Sequence, residues 1–157
     1  MTNNDILRRL RYTFNYNDAA MVKLFANAEL TVSQEQVINW LRKDEDPAFE
    51  RCGDNQLELF LDGLIIEKRG KKDGPKPPLA HRLTHNIVLR KLRIALNARD
   101  EDMLAIMQLA NFRISKPELS ALFRRPDHSS YRECQDQILR NFLTGLQLKF
   151  RPKTPTE

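Results

Sequence analysis

A long internal repeat constrains this chain more than any other feature of its sequence. When the 157 residues are shifted against themselves by 82, positions 2–69 align with 84–151 without a gap, and 20 of the 68 pairs are identical. The likeness is visible in NDILRRLRYTFN, which begins at position 4, and NIVLRKLRIALN, which begins at position 86. Self-similarity of this length indicates tandem duplication, so we expect one structural unit built twice.

The apolar residues within each copy follow helical spacing. Met21, Leu24, Phe25 and Ala28 lie at i, i+3, i+4 and i+7, and the first copy has three more stripes of this kind, each with a counterpart 82 residues later. We therefore predict an all-α fold of two pseudo-symmetric tandem repeats with about four helices each. The predicted organisation is a first repeat over 2–69, a basic linker rich in Pro, Gly and Lys over 70–83, a second repeat over 84–151 and a tail over 152–157.

Short polar residues mark where the helices are expected to begin, because their side chains accept hydrogen bonds from the free N–H groups of a first turn. Reciprocal capping boxes are predicted for three pairs: Thr2 with Asp5, Ser33 with Gln36, and Ser115 with Glu118. Three aspartates are also predicted to be caps: Asp18, Asp54 and Asp136. Gly70 and Pro152 are predicted to end the last helix of each copy.

Gly63 and Gly145 occupy matching positions inside the last apolar stripe of each copy. An interior glycine costs a helix about 1 kcal/mol relative to alanine. Its presence in both copies therefore favours close approach of another helix backbone at that point. The alternative is a C-cap that ends the helix early.

Composition indicates a soluble protein with a real core. Hydrophobic residues make up 41% of the chain, the mean hydropathy is -0.57, and no apolar run approaches the roughly 18 to 20 residues that span a bilayer. The N-terminal residues lack the pattern of a secretory signal, so the cytoplasm is the predicted location. The two cysteines, Cys52 and Cys134, are too few for a disulfide framework and are not spaced as zinc ligands.

The net charge of +5 is distributed unevenly along the chain. Residues 1–66 hold 7 basic and 11 acidic groups (-4), whereas residues 67–83 hold 6 and 2 (+4). Residues 84–148 hold 10 and 7 (+3), and the remainder holds 3 and 1 (+2). This basic excess favours nucleic acid, through the RNA or DNA backbone, as the partner of the linker and the second repeat.

The segments NDILRRLRY, VSQEQVINWLRK and FLDGLIIEKRG resemble the YehS-like family of small bacterial proteins, which consists of two tandem copies. The likeness covers nearly the whole chain and implies a helical cytoplasmic protein, but it implies no catalytic residues and no particular activity. The second copy departs from the pattern, since LDGLIIEKRG becomes LTGLQLKFRP and Asp62 and Lys68 become Thr144 and Phe150. A role specific to those side chains would belong to one copy only.

A polar stripe on the first helix of each copy is the first candidate site. Its residues lie at i, i+4, i+7 and i+11, on one face beside the apolar stripe: Asn4, Arg8, Arg11 and Asn15, with Asn86, Arg90, Arg93 and Asn97. One interpretation is a surface that binds phosphate or another anion. The other, which we favour, is internal ion pairing with Asp18, Asp54 or their copies.

Two further candidates are basic or resemble DNA-binding elements. The segment from Asp18 to Leu41 has the proportions of a helix-turn-helix, which would expose Gln34, Glu35, Asn39, Arg42 and Lys43. The first copy is acidic, so the second copy suits this interpretation better, with Lys116, Arg124 and Arg125. The other candidate is the set of clustered cations in the linker and the tail: Lys68, Arg69, Lys71, Lys72, Lys76, Arg82, Lys149, Arg151 and Lys153. The alternative, which we favour, is a charged linker that is only solvated.

Enzymatic motifs are missing from the sequence, which has no glycine-rich phosphate loop, GxSxG or HExxH. His81 and His85 could share a helix face and bind metal, but no third ligand is evident, so neither a metal nor a cofactor is predicted. Cys52 and Cys134 precede a helix whose dipole could lower a thiol pKa, or they are small packing residues.

We therefore predict a non-catalytic module that binds nucleic acid. The alternative is a protein–protein interaction adaptor that uses grooves between the helical repeats.

Overall fold

The computed structural model describes residues 1–151, which form eight α-helices and no strand. The first four are α1 (Asn3–Phe14), α2 (Asp18–Asn27), α3 (Gln34–Leu41) and α4 (Asp54–Arg69). The second four are α5 (His85–Leu96), α6 (Asp100–Leu109), α7 (Lys116–Leu122) and α8 (Asp136–Phe150). The fold is thus all-α with four helices in each repeat, as predicted. None of these helices has the length and apolar character needed to cross a membrane.

The chain divides into two compact units, each with its own core. Unit 1 covers residues 1–83 and unit 2 begins at Thr84. In unit 1 the Phe25 ring centroid lies 5.3 Å from those of both Trp40 and Phe60. The positions equivalent to Phe25 and Trp40 in unit 2 are the buried Met107 and Leu122, so the two cores are filled with different side chains on the same helical frame.

Gly63 and Gly145 lie where two helix backbones nearly touch, as predicted. A Cβ atom on Gly63 would lie 1.8 Å from the carbonyl oxygen of Leu24 on α2, and one on Gly145 would lie 1.9 Å from that of Ile106 on α6. Both α4 and α8 continue well past the glycine. The alternative of an early C-cap is therefore wrong.

The predicted capping boxes of Thr2 with Asp5 and of Ser115 with Glu118 are both present. Ser33 accepts from the Gln36 N–H as predicted, but the Gln36 side chain donates to Glu50 at 2.7 Å and does not complete the box. Gly70 ends α4 with a φ of +85°. Pro152 and the rest of the predicted tail lie outside the described residues.

The three predicted aspartate caps are wrong by one residue. The N-caps are Asn17, Gly53 and Gln135, and each aspartate is instead the first residue of its helix. A tertiary contact explains this in two cases, because the Asp18 carboxylate pairs with Arg11 and the Asp54 carboxylate accepts from the Asn3 amide at 2.9 Å.

The segment predicted to be the linker is exposed over 70–78 and held on α4 at its end. The N–H of Ala80 donates to the buried Glu58 at 2.9 Å, and the N–H of Leu83 donates to Asp54 at 3.1 Å. The bonds from Asn3 and from Leu83 keep the pKa of Asp54 below its usual range. The linker therefore ends with a fixed attachment to unit 1.

Candidate anion-binding site in unit 2

The first residue of each polar stripe is part of the internal frame. The buried Asn4 amide donates to the carbonyls of Trp40 (2.8 Å) and Glu50 (2.9 Å), and its oxygen accepts from the N–H of Cys52 (3.0 Å). Asn86 repeats all three bonds with Leu122, Arg132 and Cys134. We call this arrangement the asparagine clasp, and it fixes the long loop before α4 and α8.

The last two residues of each stripe fix the turn that follows the first helix. Asn15 and Asn97 are C-caps in the left-handed conformation, with φ of 57° and 50°. Arg11 bonds the carbonyl of Tyr16 at 3.1 Å and the carboxylate of Asp18 at 3.3 Å. Arg93 repeats this with Ala98 at 3.1 Å and Asp100 at 2.7 Å. The aspartate after the turn is therefore the arginine's partner, whereas Asp54 is not.

The second stripe residue differs between the units. Arg8 in unit 1 donates to the carbonyl of Arg42 and to the carboxylates of Asp5 (2.8 Å) and Asp44 (3.2 Å). The side chain of its counterpart in unit 2, Arg90, is exposed and has no hydrogen bond or ion pair with any residue in the described range 1–151.

The loss of three acidic residues explains this difference. The positions equivalent to Asp5, Asp44 and Asp46 are Ile87, Pro126 and His128. Asp46 pairs with Arg42 at 3.3 Å in unit 1, so its replacement leaves Arg124 without the corresponding partner. Arg124, like Arg90, is exposed and unpaired among the described residues.

The charge of the surrounding loop is reversed between the units. Residues 42–50 contain two basic and four acidic residues, a net charge of -2. The equivalent residues 124–132 contain three basic residues and one acidic residue, a net charge of +2. The same backbone frame therefore carries an acidic loop in unit 1 and a basic loop in unit 2.

An open depression of about 490 Å³ lies beside the basic loop. Its lining consists of Arg93, Asp100, Ser120, Phe123, Arg124, Arg125 and His128. Two carboxylates remain nearby: Asp100 is occupied by Arg93, and Asp127 lies 3.6 Å from Arg125 with both side chains strongly exposed. The arginines therefore outnumber the acids at the depression.

The orientation of His128 adds a donor to the depression. Its Nδ1 atom accepts from the N–H of Ser130 at 2.9 Å. The neutral ring therefore carries its proton on Nε2, which is the tautomer that leaves an N–H for a ligand. The equivalent Asp46 in unit 1 offers only acceptors.

Two of the cations grouped with the linker contact side chains of unit 1. The Lys68 ammonium lies 4.3 Å from the Phe14 ring centroid, and Lys76 forms an ion pair with Glu29. The Lys76 ammonium, with a smaller contribution from Lys71, keeps the pKa of Glu29 below its usual range. Arg69, Lys71 and Lys72 are exposed. This segment therefore offers fewer unengaged cations than its sequence indicates.

The helix-turn-helix candidate in unit 1 presents an acidic surface. Asn39 donates to Glu50 at 3.0 Å, and Arg42 donates to Asn39 and Asp46. In unit 2, Lys116 at the start of α7 is paired with Glu101 at 3.3 Å. Three of the side chains expected to read DNA, namely Asn39, Arg42 and Lys116, are thus engaged with neighbouring side chains, whereas Arg124 is not.

The cysteines are packing residues. Both are buried, and burial raises the pKa of Cys52 and Cys134 to about 12, so the expectation that the helix dipole lowers these values is wrong. His85 lies 3.3 Å from Asp136, at the position where Asn3 contacts Asp54 in unit 1. Across residues 1–151 no three metal-binding side chains are grouped.

Fold and site together define an all-helical tandem-repeat protein whose two units share a frame and differ in surface charge. The chain belongs to the family described as a protein of unknown function (DUF1456), whose pattern matches residues 3–70 and 85–151. It is similar to the "Uncharacterized protein YehS" of Escherichia coli (strain K12), with 46% identity over 147 residues, 93% of this chain and 94% of the relative. No solved structure matches. The resemblance noted from the sequence is confirmed.

Arg90, Arg93, Arg124 and Arg125 were predicted from the sequence as binding residues. Their neighbours at the depression, Ser120, Phe123 and His128, were not. The signal was present in the alignment of the two copies. Three positions change from an acidic residue to Ile87, Pro126 and His128 beside arginines that are identical in both copies.

Proposed function

We propose that this protein is a non-catalytic binding module that holds the phosphate groups of a nucleic acid at the basic depression of unit 2. One observation carries the proposal: Arg90 and Arg124 keep the positions of Arg8 and Arg42 but lack the carboxylates that neutralise those residues in unit 1. A cytoplasmic location is part of the proposal.

Unpaired arginines are well suited to this role. An arginine already bound to a carboxylate must give up that pair before it binds a phosphate, whereas Arg90 and Arg124 have no such bond to lose among the described residues. The planar guanidinium offers donors that match phosphate oxygens in pairs. In unit 1, Arg8 and Arg42 are held by acidic side chains. Unit 2 folds on the same frame without such contacts at Arg90 and Arg124.

A polyanion fits this surface better than a single anion. Arg93, Arg124 and Arg125 line the depression, and Arg90 lies one turn before Arg93 on α5. Because Arg93 is paired with Asp100, the cations that can each neutralise a phosphate and release its counterions are Arg90, Arg124 and Arg125. Affinity gained in this way increases with the number of phosphates. It also falls with salt, and this gives the proposal its test.

The test is fluorescence anisotropy of labelled single-stranded RNA and of duplex DNA with nuclease-treated protein at about 50 and 200 mM salt. Three phosphate contacts on a single strand, through Arg90, Arg124 and Arg125, predict a loss of affinity of about 20-fold between these conditions, since the slope is about -0.7 per phosphate. Arg124→Ala with Arg125→Ala is expected to weaken binding at low salt and to reduce the slope on single-stranded RNA by about 1.4.

The duplication supplies a matched control in the same chain. Arg42→Ala with Lys43→Ala removes the same charge from the equivalent positions of unit 1 and is expected to leave binding nearly unchanged, as is replacement of Lys71, Lys72 and Lys76 by Ala. Arg90→Ala is expected to weaken binding. Absence of binding at low salt, or equal losses from both double variants, would overturn the proposal and leave the adaptor alternative.

A further inference from the structure

We infer that the depression of unit 2 takes an unpaired base together with the phosphates, stacked on Phe123, so that the ligand class is single-stranded nucleic acid. This inference rests on the proposed function and narrows it. The observations that carry it concern the ring, the groups that hold it in place and the shape of the depression.

The aromatic ring is specific to unit 2. The equivalent residue of unit 1 is Leu41, and both side chains are half-buried at the end of their helix. The same frame is thus completed by leucine in one copy, so the fold does not require a ring at this position. The ring occurs in the unit whose Arg90 and Arg124 lack the acidic partners of Arg8 and Arg42.

Phe123 is held in place by a fixed cation. The Arg93 guanidinium carbon lies 4.7 Å from the centroid of the Phe123 ring. Arg93 is itself fixed by Asp100 at 2.7 Å and by the Ala98 carbonyl at 3.1 Å. A ring immobilised before binding loses little conformational entropy when a base stacks on it. The pair of ring and guanidinium therefore forms a preorganised stacking surface.

The polar groups beside the ring suit the edges and the backbone of one nucleotide. Ser120 offers a hydroxyl, His128 offers Nε2–H, and Arg124 and Arg125 supply cations on the same lining. The volume of about 490 Å³ lies within the range of roughly 300 to 1,000 Å³ that is usual for sites holding small molecules. The depression thus combines a stacking face with phosphate-binding groups.

A duplex cannot use this arrangement. In a double helix each base face is covered by its neighbours, and proteins reach only the base edges in the grooves. Single strands offer free faces, and stacking on aromatic side chains is the usual way in which proteins bind them without sequence preference. The ring is thus useful only when the bound base is unpaired.

The test compares three labelled probes at low salt: oligodeoxythymidylate of about ten nucleotides, an abasic strand with the same backbone, and a blunt-ended duplex of about ten base pairs. The base-bearing strand is expected to bind at least about fivefold more tightly than the abasic strand. Phe123→Leu, which installs the residue of unit 1, is expected to remove that difference and leave abasic binding unchanged. Phe123→Tyr keeps a ring and is expected to preserve it, and Leu41→Phe in unit 1 is the matched control with no expected effect.

The outcomes separate the inference from the function on which it rests. Equal binding of base-bearing and abasic strands by the wild-type protein, or duplex binding as tight as single-strand binding, would overturn the inference and leave phosphate binding intact. Failure of all three probes to bind would overturn both. The wild-type comparison and Phe123→Tyr decide the matter even where Phe123→Leu disturbs folding, which thermal unfolding reports.

Discussion

At the scale of single residues, one buried amide organises each unit. The Asn4 side chain satisfies the Trp40 carbonyl in the last turn of α3, together with the Glu50 carbonyl and the Cys52 N–H in the irregular loop that follows. Asparagine suits this task because its amide carries two donors and one acceptor oxygen on a short stem. Asn86 does the same in unit 2.

Removal of the clasp should be costly. Asn4→Ala leaves these three backbone groups unpaired, and each buried unpaired group costs about 1 to 3 kcal/mol. We expect the free energy of unfolding of unit 1 to fall by about 3 kcal/mol or more, measured by urea denaturation. Asn55→Ala, at an exposed position on α4, is the control and should change it by less than about 0.5 kcal/mol. A loss below 1 kcal/mol for Asn4→Ala would contradict the clasp.

The buried thiols predict how stability depends on alkaline pH. Burial raises the pKa of Cys52 and Cys134 to about 12, whereas an unfolded cysteine titrates near about 8.5. Above that lower value the unfolded chain loses thiol protons that the folded chain keeps, so stability is fully present below about pH 8.5 and falls as the pH rises towards 12.

Each cysteine should lower the free energy of unfolding by about 1.4 kcal/mol per pH unit within this window. Urea denaturation at about pH 8 and 10 checks this. The wild-type protein should lose more stability between these values than the double variant Cys52→Ala with Cys134→Ala. Equal losses, or rapid labelling of both native thiols at the lower pH, would show that the thiols are not buried as described.

At the scale of helices, the contact of α4 with α2 and of α8 with α6 is set by a glycine. The missing Cβ lets the Leu24 or Ile106 carbonyl lie against the facing helix backbone. This contact was predictable, because a residue that weakens a helix is kept at the same interior position in both copies.

Gly63→Ala and Gly145→Ala should separate these helices. The new methyl carbon would lie within 2 Å of a backbone oxygen, which cannot move without its helix, so we expect each to destabilise its own unit by about 3 kcal/mol. Helix propensity alone predicts that each variant gains about 1 kcal/mol in free energy of unfolding. The sign of the measured change therefore distinguishes steric overlap from helix propensity. Thermal or urea unfolding that shows stabilisation would refute the close contact.

Helix starts show where prediction from sequence reaches its limit. Two residues suited to capping stand side by side at Asn17 and Asp18, and local preference does not choose between them. Arg11 decides between them, because its guanidinium binds the Asp18 carboxylate and the Asn17 side chain then accepts from the N–H of Ala20 as the cap. Such outcomes depend on contacts between elements and are not encoded in the local segment.

At the scale of the molecule, duplication has produced two units with the same backbone frame and opposite charge on the equivalent loop. The arginines were identifiable from their type, but whether each is paired depends on acids that the fold brings from a distance. Asp44 reaches Arg8 across 36 positions of sequence. Identity between copies therefore indicated the shared frame, and the candidate site emerged only where the copies differ.

The most direct test of the account restores the lost acids. Ile87→Asp, Pro126→Asp and His128→Asp together give Arg90 and Arg124 the carboxylates that Arg8 and Arg42 have in unit 1. The control adds the same charge at exposed positions of unit 1, with Thr31→Asp, Ala48→Asp and Asn55→Asp. Both proteins are compared with the wild type for single-stranded RNA binding across the salt series.

We expect the restored acids to weaken binding at about 50 mM salt by tenfold or more and to flatten the salt dependence, because each new ion pair removes a phosphate contact. The control should retain most of the wild-type affinity. Wild-type affinity after restoration of the acids, or an equal loss in the control, would contradict the claim that unit 2 binds phosphate through arginines that have lost their partners.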